Sequence, residues 1–207
     1  MKHIERLLQQ GENECLDFKK EISSTNRIAK TMVSFANHRG GTLLVGVNDD
    51  KTISGVKVEE ERFMLQQAAA FFCKPEIGLE IKEWHIGRKI ILAVIIAQGE
   101  NKPYYALDAE GKWWVHIRVK DQSLLASKVV VDVLRRQSAN ENTIVEYSSK
   151  EKALLDYLRH HHRITIKEYC KMLNLSRWRA IKILVNLVSV GIIRNHNTES
   201  TEFYTLS

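Results

Sequence analysis

Three cations and an indole, Arg177, Trp178, Arg179 and Lys182, fall within the first six positions of a segment whose apolar residues Ala180, Ile181, Leu184, Leu187 and Val188 recur at helical spacing. Guanidinium and ammonium groups gathered at the leading end of a helix can reach phosphate oxygens or guanine edges, so the chemistry they offer is capture of a polyanion. Other reactive side chains are sparse. Cys15, Cys73 and Cys170 are odd in number and far apart, with no C-x-x-C pair, which supports neither a disulfide framework nor a structural zinc site. All three are expected to be reduced and mostly buried. His160, His161 and His162 are consecutive, and neighbours on a helix point in different directions, so they read as a solvated helix end rather than as metal ligands. Gly40-Gly41 invites a phosphate-loop reading, but no G-x-x-x-x-G-K-[ST] pattern occurs in the chain, and a helix-to-strand turn explains both glycines.

The elements that must position the basic cluster can be read around it. Ser148-Ser149-Lys150-Glu151 has the spacing of a capping box and opens a helix carrying Leu154, Leu155 and Leu158 on one face. A second helix covers Ile166 to Leu173, and Asn174-Leu175-Ser176 leads into the third with Ser176 as its N-cap. Gly191 ends the third helix. Ile192-Ile193-Arg194, a polar turn and Glu202-Phe203-Tyr204 then read as a two-stranded hairpin, with Arg194 a further cation beside the cluster. This order predicts a C-terminal winged helix-turn-helix over 150–207, which in such modules meets double-stranded DNA and is often a homodimer matching two half-sites.

Upstream, helices and strands alternate. Ile4, Leu7 and Leu8 mark a short helix ending at Gly11; Cys15 to Lys19 alternates like a half-buried strand; Thr25 to His38 is helical; and Thr42 to Val47 is an apolar run suited to a strand buried on both faces. A helix from Glu59 to Phe72, strands at Gly78–His85, Lys89–Ala97 and Trp113–Val119, and a closing helix at Lys128–Arg136 follow. In Trp113-Trp114 one ring is expected in the core and the other in solvent, since strand neighbours face opposite sides. The pattern predicts an α+β (α/β-like) N-terminal domain with a mixed sheet over 1–137, and the small polar residues of 138–149 predict a linker. With 44% hydrophobic and 27% charged residues the composition excludes a disordered or fibrous chain, and the formal net charge of +6 favours an anionic partner. No stretch approaches the roughly 20 apolar residues of a membrane span, and Met1-Lys2-His3-Ile4-Glu5 lacks a signal-peptide core, so no membrane association and a cytoplasmic location are expected.

Four segments taken in order resemble a known family: Gly11-Glu12-Asn13-Glu14-Cys15-Leu16-Asp17-Phe18-Lys19, the run from Ser34-Phe35-Ala36-Asn37 through Gly40-Gly41 to Gly46-Val47-Asn48-Asp49-Asp50, Ile53-Ser54-Gly55, and Val115-His116-Ile117-Arg118-Val119. Together they are similar to the Schlafen AlbA-type domain, described as DNA-binding and, under an older label, as a divergent AAA ATPase. The resemblance implies a nucleic-acid-binding protein and, with the C-terminal module, a bacterial transcriptional regulator. In animal Schlafen proteins a similar domain cleaves RNA through three carboxylates. Carried onto this chain, these are Glu12, Asp17 and Asp49, with Asp17 in place of the family's usual Glu, and the ion they would hold is Mg or Mn. Around that site Lys19, Lys20, Arg39, Arg118 and Lys120 would form an anion-facing surface.

Overall fold

The computed structural model describes residues 2–139 and 148–207; the central residues of the expected linker, 140–147, lie outside the described residues. The chain divides into two compact units, Met1–Leu125 and Ala126–Ser207.

The first unit runs α1 (Lys2–Gln10), β1 (Leu16–Lys19), α2 (Thr25–Asn37), β2 (Gly41–Val45), α3 (Val58–Phe71), β3 (Cys73–Lys74), β4 (Leu79–Ile86), β5 (Lys89–Ile96), β6 (Tyr105–Leu107), β7 (Trp113–Val119) and β8 (Gln122–Leu125). Four strands form a sheet in the order β1-β2-β5-β4, with β1 and β2 parallel and the other pairs antiparallel, which is the mixed sheet of the expected α+β class. A second sheet, β3-β6-β7-β8, is antiparallel. Successive strand side chains point to opposite faces, and both faces of the mixed sheet are covered. Leu43, Val45, Leu92 and Val94 pack with Ile28, Met32, Phe35 and Leu65 of α2 and α3. Leu44, Ile91 and Ala93 pack with Leu16, Phe18 and Ile4 on the other side. Double coverage is why β2 and β5 are apolar without alternation.

Helix α2 packs against β5 of one sheet and β6, β7 and β8 of the other, and is buried along almost its whole length. Burial on all sides requires its polar groups to find protein partners. Asn37 meets this with its amide: Nδ2 donates to the carbonyls of Tyr104 and His116, both at 2.9 Å, and Oδ1 accepts from the Tyr104 N–H at 2.7 Å. The chain then reverses at Gly40, where φ is +78° and an added Cβ would lie 2.6 Å from the Ile96 carbonyl oxygen. A side chain is excluded there twice, by backbone angle and by space.

The second unit holds α4 (Lys128–Ala139), α5 (Ser149–His161), α6 (Ile166–Leu173), α7 (Arg177–Ser189) and the antiparallel hairpin β9 (Ile193–Asn197) with β10 (Glu202–Leu206). Each of the last three helices begins at a side-chain cap. Ser148 and Glu151 form a capping box at α5, Thr165 and Glu168 another at α6, and the Ser176 hydroxyl accepts from the Arg179 N–H at α7. Leu154, Leu158, Tyr169, Ala180, Leu184, Leu187, Ile193 and Tyr204 make its core.

The boundary differs from the sequence expectation. Val129 and Val133 of α4 pack into the core of the second unit, so the division falls at Leu125/Ala126 and α4 does not close the first domain at 137. Helical periodicity shows that a helix has an apolar face; it does not say which core receives that face.

Candidate nucleic-acid interface

In the second unit the expected basic cluster is exposed. Arg177, Trp178, Arg179 and Lys182 all face solvent at the start of α7, and the indole of Trp178 is 70% exposed. The Lys182 ammonium lies over the Trp178 ring, 5.7 Å from its centroid. The first turn of α7 contains no acidic residue, and its unpaired N–H groups and partial positive charge add to the side-chain cations. Arg194 is exposed on β9.

A groove of about 310 Å³ adjoins this cluster, lined by Lys128, Asp132, Arg135 and Arg136 of α4 and by Trp178, Ile181, Lys182 and Val185 of α7. Lys128 and Arg135 both pair with Asp132, and Arg136 Nη1 donates to Asn186 Oδ1 at 2.6 Å. Sequence reasoning missed these α4 cations because it assigned the helix to the other domain. The signal available was the spacing Lys128, Asp132, Arg135, which places all three on one helical face.

In the first unit the expected carboxylate trio is used otherwise. Asp17 is 3% exposed, with Oδ1 accepting from Arg118 Nη2 at 2.9 Å and Oδ2 paired with the Lys19 ammonium at 2.5 Å. Glu12 Oε1 accepts the Phe18 N–H at 2.8 Å, which fixes the turn entering β1. Asp49 is exposed in the turn after β2. Among the described residues no group of three or more His, Cys, Asp or Glu is arranged to hold a metal ion. The donor set does not fit Mg or Mn, because both oxygens of the central carboxylate already face cations.

Arg118 requires a correction. It is 4% exposed and donates to the carbonyls of Asn13 and Leu16, to Ser123 Oγ and to Asp17, with its guanidinium 4.9 Å from the Phe35 ring centroid. A planar fork with its donors occupied by protein acceptors cannot serve an external phosphate. Lys19, whose side chain is 40% exposed, directs its ammonium to Asp17 and the Phe18 carbonyl. Lys20, Arg39 and Lys120 are exposed, Lys120 at the β7–β8 turn with φ of +55°. Two smaller expectations also fail. Trp113 and Trp114 are about equally exposed, at 40% and 41%, with Trp114 Nε1 donating to Asp108 Oδ2; and Cys15 is exposed, only Cys73 being fully buried. Burial pushes the Cys73 thiol up to about 12, so it is inert at neutral pH.

Near this region His38 sits 4.0 Å from Glu14, its pKa lowered by burial despite that carboxylate, and buried His116 is lowered to about 4, chiefly by burial and then by Lys30. Both imidazoles are therefore neutral at physiological pH.

An α+β unit with a mixed sheet, followed by helices that present a basic helical N-terminus, defines the class. The chain belongs to the family Schlafen, AlbA_2, whose model matches residues 12–127, and the family points to a nucleic-acid-binding domain. Among solved structures it is similar to the DIP2311 protein from Corynebacterium diphtheriae, at 15% identity and a TM-score of 0.47, covering 72% of this chain and 34% of that one. It is also similar to the N-terminal domain of a RecG-related protein from Nitrosomonas europaea, at 21% identity and a TM-score of 0.41, covering 60% of this chain and 95% of that one. The chain thus spans about a third of the length of the first of these. No curated protein matches it. No helix among the described residues is long and apolar enough to cross a membrane.

Proposed function

We propose that the second unit is a winged helix-turn-helix that binds double-stranded DNA, and that the chain acts as a transcriptional regulator to which the AlbA_2 domain adds affinity. In this reading α7 enters the major groove by its leading end, Arg177, Arg179 and Lys182 meet phosphates or guanine edges, and the β9–β10 wing brings Arg194 to the backbone. The observation that supports it most is the exposure of those cations together at the one helix terminus where the docking geometry needs them.

The test is a fluorescence titration of labelled duplex at several salt concentrations. Replacing Arg177, Arg179 and Lys182 with Ala should weaken binding and lower the slope of log affinity against log salt by about 2 to 3, since each phosphate contact releases about 0.9 counterion. Wild-type affinity in the triple variant removes α7 as the reading element.

A further inference from the structure

The basic surface at the start of α7 continues onto a helix that belongs to no DNA-reading motif. On α4, Lys128 and Arg135 stand seven residues apart on one face, about 10 Å along the axis. Their side chains are 59% and 53% exposed. Between them Asp132, with 25% of its side chain exposed, pairs with both, at 2.5 and 3.5 Å. Lys182 and the indole of Trp178 form the opposite wall of the same groove, with Ile181 and Val185 also lining it. The Arg136 to Asn186 hydrogen bond ties the two helices together, so the two rows of cations keep a fixed spacing.

We propose that this groove seats the sugar-phosphate backbone of the bound duplex, with Lys128 and Arg135 contacting phosphates beyond those reached by α7. The proposal rests on the DNA-binding reading above and extends its footprint to α4. Charge complementarity selects the occupant: among the described residues four cations and a single carboxylate line the groove, and that carboxylate already shares its charge between two of them. Trp178, Ile181 and Val185 give an apolar wall against which a deoxyribose can lie, and exclusion of water there strengthens the ionic contacts at the rim. Asp132 acts as a placeholder. It holds Lys128 and Arg135 in position without DNA and opposes the phosphates once they arrive.

The arrangement makes two predictions of opposite sign. In the full chain, Lys128→Ala with Arg135→Ala should lower the salt slope by about 2 and weaken binding, as expected for two lost phosphate contacts. Asp132→Asn should tighten binding and steepen the slope, because it removes the one carboxylate among the described groove residues and takes from Lys128 and Arg135 a partner that competes with the phosphates. A variant that had merely misfolded could not gain affinity. Weaker binding in Asp132→Asn, or an unchanged slope in Lys128→Ala/Arg135→Ala, overturns the α4 contact. If the α7 triple variant loses binding while the α4 variants keep the wild-type slope, the DNA-binding reading stands and only this extension falls. A wild-type chain without salt-dependent duplex binding overturns both.

Discussion

Arg118 shows how far a side chain's surroundings can reverse the meaning of its charge. Its guanidinium and the Asp17 carboxylate are 1% and 5% exposed, and every other donor contact it makes is to protein oxygen. The pair joins β7 to the start of β1, so its role is to fix the two sheets across α2. Removing Arg118 leaves Asp17 with Lys19 as its remaining cationic partner and takes a buried donor from the Asn13 and Leu16 carbonyls; Arg118→Met should therefore cost about 3 kcal/mol in urea unfolding, whereas Arg118→Met with Asp17→Leu should recover part of that loss. A single variant within about 0.5 kcal/mol of wild type, as at an ordinary surface site, would contradict the assignment. His116 supplies a pH signature. Its folded pKa of about 4 lies below the unfolded value of 6.5, so between those values only the unfolded chain gains the proton. Stability is full above 6.5 and falls as pH drops toward 4, with His38 adding a loss of the same sign. His116→Gln should flatten part of that slope in denaturation midpoints measured from pH 7 to 4; an unchanged slope would show that other groups carry it.

Among the elements, turn chemistry decides what is tolerated. Gly87 and Gly40 both have positive φ, at +60° and +78°, but an added Cβ meets nothing within 4 Å at Gly87 and the Ile96 carbonyl oxygen at 2.6 Å at Gly40. Gly87→Ala should cost only the left-handed backbone penalty of about 1–2 kcal/mol, and Gly40→Ala clearly more, because the α2–β2 connection must move away from β5. Equal melting-temperature shifts would show that crowding at Gly40 is relieved without cost. The same local chemistry made most elements readable in advance. Ser148 and Ser176 announce helix starts, Gly11 and Gly191 announce ends, and the unbroken apolar runs of β2 and β5 announce buried strands. What escaped has physical reasons. Strands β3, β6 and β8 have 2, 3 and 4 residues, too few to display a period. In β1 the alternation placed Asp17 on a polar face, and only the distant Arg118, 101 residues along the chain, makes that position a buried one. The basic cluster of α7 was legible because it depends on local helix geometry alone. The carboxylate trio was not, because its fate depends on long-range pairing.

At the scale of the whole molecule, the position of the boundary is a claim about which residues fold together. Each unit has its own core, and that of the second includes Val129 and Val133, which are 2% and 8% exposed, together with Leu154, Leu184 and Leu187. A fragment starting at Ala126 keeps the whole of that core. One starting at Ser148 loses α4 and with it two buried valines facing α7, whose removal should cost several kcal/mol at about 1.5–3 kcal/mol per buried aliphatic side chain. A small domain has a margin of only about 5 to 15 kcal/mol, so the shorter fragment should unfold at much lower temperature or lose cooperativity, while 126–207 melts as one transition. The two fragments also separate folding from binding. If 126–207 retains the duplex affinity of the second unit and 148–207 loses it even at temperatures where it remains folded, α4 contributes contacts as well as core. Equal stability of the two fragments would place α4 outside the folding unit and return the boundary to 137.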